Sequence, residues 1–264
     1  MRLLLPPSES KNDGTSASVL EVATLSFPEL APTRHKVLKA LGALSAKPKV
    51  ARAALGISEK QDFERLRNLV LLDGPTSPAA DVYCGVVYDS LSYATLTPAQ
   101  QRKTARSVLI QSALFGWVSL ADRIPAYRLS GDCVLPRMGG VGPLWKKALR
   151  DSLDEESLIV DLRSGTYAKF WQPKPAQLQH TCIIKVMQTV SDAHGTRKIA
   201  VSHFNKATKG LVARDLITAK STPKTVDDVV AVLKAADWVI EHTPATSSSA
   251  HVVEVIIKDL VPQR

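Results

Sequence analysis

Compact apolar runs closed off by turn residues are what most narrows the folds open to this chain. Leu3-Leu4-Leu5 ends at Pro6-Pro7, and residues 108–113, 158–162 and 181–187 repeat the arrangement further along. Runs this short read as strands, residues 108–113 as a buried one. Between them lie stretches with helical spacing of apolar residues. Residues 33–44 are one. Pro48 then opens a short basic helix to Leu55, and Ser58 caps a third helix from Glu59 to about Leu72, with Phe63, Leu66 and Val70 on one face. Thr97-Pro98 supplies the N-cap and first residue of another helix, and residues 144–153 are helical. Thr225, with Asp228 three positions on, forms a variant capping box ahead of the stripe Val226, Val229, Val230 and Leu233. Residues 199–204 pair with 181–187 as a hairpin around Asp192-Ala193-His194-Gly195, and residues 237–242 and 251–258 form two more antiparallel strands. The expected fold class is α/β (mixed α+β), a single mixed sheet with surrounding helices. Residues 1–264 form one domain with a basic helical subregion over residues 33–72.

Charge is segregated along the chain. The net charge is +9, and residues 30–58 carry Arg34, Lys36, Lys39, Lys47, Lys49 and Arg52 without one acid. Residues 193–214 repeat this with Arg197, Lys198, Lys206, Lys209 and Arg214. Acid-free stretches can build a positive face that attracts polyanions and releases their counterions, so the expected partner is nucleic acid or a phosphorylated small molecule. Aromatic residues make up only 5% of the chain, too few for a surface that stacks successive bases. Cys84, Cys133 and Cys182 are far apart and form no C-x-x-C pair, which suggests neither a disulfide scaffold nor a thiolate zinc site and fits a reducing cytoplasm. The apolar run before Pro6 is far shorter than a signal or membrane segment, so no membrane association is expected. His35, His180, His194, His203, His242 and His251 are scattered without ligand spacing, and no metal site or cofactor is expected. Walker A, G-x-G-x-x-G and G-x-S-x-G templates are all missing.

Three segments hold the candidate site residues. Residues 8–14, polar and turn-rich, follow the first strand, where open α/β sheets place ligands, and contribute Glu9 and Lys11. Residues 202–214 leave a strand and enter a helix, so that backbone N–H groups with Lys206, Lys209 and Arg214 can converge on an anion; the alternative is a solvated basic helix face. Tyr127-Arg128 can stack on a base or sugar and hold phosphate, or Arg128 can satisfy a buried acid such as Asp122 or Asp161. Lys47, Lys49 and Arg52 are candidates for duplex contact from the basic helical segment. Asp161, at a strand end, is followed by Ser164, Gly165 and Tyr167, which either face a cleft or form a turn. Trp145 and Trp171 read as packing anchors.

Several segments in order carry a family resemblance: Asp81-Val82-Tyr83-x-Gly85, the run from Phe115-Gly116-Trp117 to Ala126-Tyr127-Arg128-Leu129, Asp161-Leu162-Arg163-Ser164-Gly165-Thr166-Tyr167, and residues 202–214. Together with the strand running into Ser8-Glu9-Ser10-Lys11, they resemble the peroxide-stress YaaA family end to end, in a distant, actinobacterial-looking branch. The family's loop is Pro-Ala-Lys-like, its Arg-Pro is Ser119 here, and its Lys-Ala-Arg-Gly becomes Ala207-Thr208-Lys209-Gly210. Charge survives at Lys209 without the guanidinium fork. The resemblance implies a cytoplasmic oxidative-stress protein that binds DNA through a helix-hairpin-helix-like element, and no secure catalytic reaction. Two functions follow. One is a peroxide-response protein that binds DNA, without sequence preference, on a positive face and limits oxidative damage. The other is an enzyme acting on a nucleotide or other phosphorylated metabolite in a basic cleft, where Lys11, Arg128, Lys206 and Lys209 clamp the anion and Glu9, Asp161, Tyr167 or His203 supplies acid–base chemistry.

Overall fold

The computed structural model describes residues 1–192, 195–200 and 204–257. The strands are β1 (Arg2–Leu5), β2 (Ser77–Pro78), β3 (Val108–Ser112), β4 (Gly116–Ser119), β5 (Arg123–Ile124) and β6 (Val134–Leu135). They continue with β7 (Gly139–Gly140), β8 (Ile159–Asp161), β9 (Thr181–Asp192), β10 (Gly195–Ala200), β11 (Ile240–Thr243) and β12 (His251–Ile257). Eight of them form one mixed sheet in the order β11-β12-β9-β8-β1-β3-β4, with β10 on β9, while β2 pairs with β5 and β6 with β7 in separate ladders. Neighbours from β12 through β9, β8 and β1 to β3 are parallel; β11, β4 and β10 pair antiparallel. Leu3, Leu4 and Leu5 are fully buried, as a central strand covered on both faces requires. Each such side chain stabilises the fold by about 1.5–3 kcal/mol, an upper estimate because unfolded chains already hide part of this surface.

The helices are α1 (Ala31–Ser45), α2 (Pro48–Leu55), α3 (Asp62–Leu69), α4 (Ala79–Val82), α5 (Val86–Leu91), α6 (Pro98–Ser107), α7 (Val141–Ala148), α8 (Gly165–Ala168), α9 (Phe204–Thr218) and α10 (Val226–Ala235). The expected mixed sheet with surrounding helices is what forms, and the capping box of Thr225 with Asp228 opens α10. Trp145 and Trp171 are buried, with Trp145 donating to the Ala113 carbonyl at 2.7 Å.

Several boundaries differ from expectation. The second hairpin strand is Gly195–Ala200, and Phe204 already belongs to α9. The helix expected over residues 144–153 is α7, which begins three residues earlier at Val141, after Gly140 in extended conformation, and ends at Ala148, five residues short. The third basic-region helix begins as a 3-10 turn, Glu59–Gln61, with the Gln61 side chain reaching back to the Ser58 N–H, and ends at Leu69. Its face of Phe63, Leu66 and Val70 points outward, each about half exposed. α2 and α3 are joined through Gly56 in the left-handed region, and nothing in this geometry establishes a helix-hairpin-helix.

The topology places one crevice. From β1 the chain reaches β3 on one side, while β8 arrives on the other, so the loops after β1 and β8 leave the parallel strands at a point where the connections diverge. Open α/β sheets bind ligands at such points, beyond the carboxyl ends of the strands.

Candidate functional site

A cleft of about 550 Å³ opens at that crevice. Its walls come from the loop after β1 (Pro6 to Ser10), the start of α5, the loop of Ser130, Gly131 and Asp132, the turn after β8 and the first turns of α9. The β1 loop is held tightly. Lys11 bridges to Tyr83, the Asn12 N–H donates to the Val82 carbonyl at 2.9 Å, and Tyr88 Oη donates to the Pro6 carbonyl at 2.7 Å.

Lys11 is the residue that shapes this loop from beneath. Only 7% exposed, it donates from Nζ to the carbonyls of Ser8 at 2.8 Å and Glu9 at 3.3 Å. The ammonium lies 4.1 Å from the centre of the Tyr127 ring and 5.4 Å from that of Tyr83. Burial pushes its pKa down to about 7, with Glu64 the largest opposing influence. Beneath it, Tyr83 Oη, Tyr127 Oη and Ser112 Oγ form a hydroxyl chain with spacings of 2.8 and 2.7 Å, and burial raises both phenols.

Glu9 stands at the rim and pairs with Arg128 at 3.2 Å. Arg128 therefore pairs with neither Asp122 nor Asp161. Its backbone is clamped by Asn68, which accepts from the Arg128 N–H at 2.9 Å and donates to the Arg128 carbonyl at 2.8 Å. Asp122 caps loops instead, accepting from Ser26 and the Ser119 N–H. Asp161 is committed to Arg163, which grips it with two side-chain bonds of 2.9 and 2.7 Å while lying between Trp117 and Trp171, 5.5 Å from each ring. Arg163 also donates to Gln111 Oε1 and to the carbonyls of Tyr167 and Trp171. A buried carboxylate held by a fork with every donor satisfied is a structural anchor.

Into the same cleft α9 presents Lys206 and Lys209. Lys206 is exposed. Lys209 is only 8% exposed, donates to the Arg163 carbonyl at 3.0 Å, and has its pKa lowered by burial. This position exists because of Gly210. A Cβ there would lie 2.3 Å from the Val87 carbonyl oxygen and 2.6 Å from Ser90 Cβ, so α9 meets α5 backbone to backbone with no room between. Arg214, one turn on, is tied to the carbonyls of Leu91 and Ser92 at 2.8 and 3.0 Å and locks the same two helices. Tyr167 Oη accepts from the Gly131 N–H at 3.1 Å, and burial pushes its pKa up to about 12, so it keeps its proton at neutral pH.

The structure thus brings Glu9, Tyr167, Lys206 and Lys209 around one space, with Lys11 beneath and Arg128 at the rim. His203 lies outside the described residues. Lys47, which precedes α2, and Lys49, in its first turn, are exposed and away from the cleft walls, and Arg52 bonds Glu59 at 3.1 Å and Asp62 at 3.2 Å. Arg34 contributes nothing to a positive face. It is fully buried and donates to the carbonyls of Ser26, Phe115 and Trp117. Sequence reasoning missed the wall of Ser130, Gly131 and Asp132 and the Cys84-Gly85 edge. Their signal was the proximity of small residues to the Tyr127-Arg128 and Tyr83-x-Gly85 motifs. Among the described residues no group of three or more His, Cys, Asp or Glu is placed to hold a metal ion, and no helix is long and apolar enough to cross a membrane.

Comparison with known proteins agrees with the motifs. A family model described as "Peroxide stress protein YaaA" matches residues 1–242. A UPF0246 protein of Streptomyces coelicolor is 37% identical over 98% of this chain and 100% of its own length. UPF0246 proteins of Corynebacterium efficiens and Corynebacterium glutamicum are 42% and 40% identical, over 91% and 92% of this chain and 95% and 96% of their own lengths. With the order of motifs and the crevice they surround, these matches assign the chain to the YaaA family of peroxide stress proteins.

Proposed function

We propose that the protein acts in the response to peroxide by binding DNA through its phosphates at the cleft, and so limits oxidative DNA damage. The stress role rests on family membership. The DNA role rests on one observation: Lys206 and Lys209, nearly one turn apart on α9, line with the β1 loop an open crevice at the carboxyl ends of parallel strands. Lys206 is the reachable cation, and Lys209 lies deeper with N–H groups beyond the one given to Arg163. Phosphate contact of this kind is indifferent to base sequence and weakens as salt rises.

Fluorescence anisotropy with a short duplex, taken over roughly 50 to 200 mM salt, tests the reading. Affinity falls steeply with salt, and Lys206→Ala lessens the slope by about one. A salt-independent response, or a slope untouched by the substitution, refutes it. A second reading, an enzyme acting on a nucleotide or other phosphorylated metabolite, is favoured by the acid–base groups at the cleft, since Glu9 and the protonated Tyr167 border the same space as the lysines. Product release from a panel of nucleotides, abolished by Glu9→Gln with binding retained, supports that reading; no turnover across the panel removes it.

A further inference from the structure

We infer that the cleft is a single-nucleotide site: it takes one nucleoside monophosphate, with the phosphate on the lysines of α9 and the sugar and base against the rest of the lining. The inference rests on the reading that this cleft receives phosphate. It adds the size and the orientation of what enters.

The cleft lining carries both signs of charge. Lys206 and Lys209 share it with Asp132, which accepts from the Thr166 hydroxyl at 3.2 Å, and with Glu9, which pairs with Arg128 at the rim. A ligand with an anionic end for the lysines and hydrogen-bond donors for the carboxylates satisfies both. A phosphomonoester carries close to two negative charges at neutral pH, which matches two lysines.

Part of the lining is apolar. Pro6 and Pro7 line the cleft beside Val86, which is 48% exposed although apolar and opens α5 at the rim. A flat heterocycle covers such a surface, and a cleft of about 550 Å³ lies within the range of small-molecule sites. Tyr167 Oη, accepting from Gly131, has its hydroxyl proton available to an oxygen of the ligand. A second nucleotide of the same strand would leave the cleft, so DNA delivers one unpaired or terminal unit here while the rest of the strand stays outside.

Isothermal titration of the purified full chain with a deoxynucleoside 5′-monophosphate, deoxyribose 5-phosphate and inorganic phosphate separates the possibilities, with duplex binding measured in parallel. The nucleotide binds more tightly than the sugar phosphate and that more tightly than phosphate. Lys206→Ala weakens all three by about tenfold or more, as loss of a charge-assisted contact requires. Asp132→Asn weakens the nucleotide and leaves inorganic phosphate unchanged. Inorganic phosphate binding as tightly as the nucleotide, or nucleotide binding indifferent to Lys206, overturns the inference. Duplex binding that depends on Lys206 while the nucleotide is ignored overturns it and leaves the DNA reading standing. Nucleotide binding without duplex binding supports it and removes the DNA reading.

Discussion

Replacing Lys11 by Met should change the pH dependence of folding in a direction set by burial. In the folded chain the ammonium is enclosed by two tyrosine rings and the carbonyls of Ser8 and Glu9, and its pKa falls to about 7 from an ordinary 10.5. Between those values the unfolded chain holds a proton that the folded chain has released, so stability rises with pH across that window. Below pH 7 the folded state carries the full cost of a buried charge. The slope approaches about 1.4 kcal/mol per pH unit where the two states differ by nearly one proton. From roughly pH 7.5 to 9.5 the wild-type protein should therefore gain about 2–3 kcal/mol relative to Lys11→Met, which has nothing to titrate there. Urea unfolding of both proteins at matched pH values measures this difference directly, and effects common to both cancel. A difference that stays flat from neutral to alkaline pH would show that Lys11 keeps its proton when folded, and the account of a desolvated amine beneath the loop would fall.

Other expectations follow from close packing and buried charge. Gly210→Ala should destabilise by about 1–3 kcal/mol, because the new methyl meets the Val87 carbonyl at 2.3 Å, and should weaken DNA binding by displacing Lys206 and Lys209. Gly165→Ala, where nothing lies within 4 Å, should change neither thermal stability nor binding. Asp161→Asn should lower stability by about 3–5 kcal/mol in denaturant titration, since Arg163 is left buried without its counter-charge between Trp117 and Trp171. A loss below about 1 kcal/mol would mean that water reaches the guanidinium.

Local signals foretold the elements whose causes are local. Leu3-Leu4-Leu5 closed by two prolines is β1, Thr97-Pro98 caps α6, and Thr225 with Asp228 opens α10, each set by residues within a few positions. The hairpin of β9 and β10 was visible too, but its second strand was placed late, since the apolar residues 199–204 straddle a strand end and the start of α9. What the sequence hid was tertiary. Six cations in residues 30–58 look alike on paper. Arg34 is sealed under Phe115 and Trp117, and Arg52 is neutralised by Glu59 and Asp62 from the next turn. Asp161 found its partner two residues away in Arg163, a choice decided by tryptophans 46 and 8 positions distant that enclose the guanidinium. Lys206 and Lys209 were legible by charge, and their place in one cleft with residues 6–10 follows from the close approach at Gly210.

Hydrogen–deuterium exchange of the full chain with and without duplex DNA tests the central claim most directly, because it reports which of two basic regions meets the phosphates. Protection should appear in residues 6–11 and in the first two turns of α9, and should vanish from both in Lys206→Ala at salt that abolishes its binding. Protection confined to α2 and α3 around Lys47 and Lys49, with the cleft segments unchanged, would contradict the account.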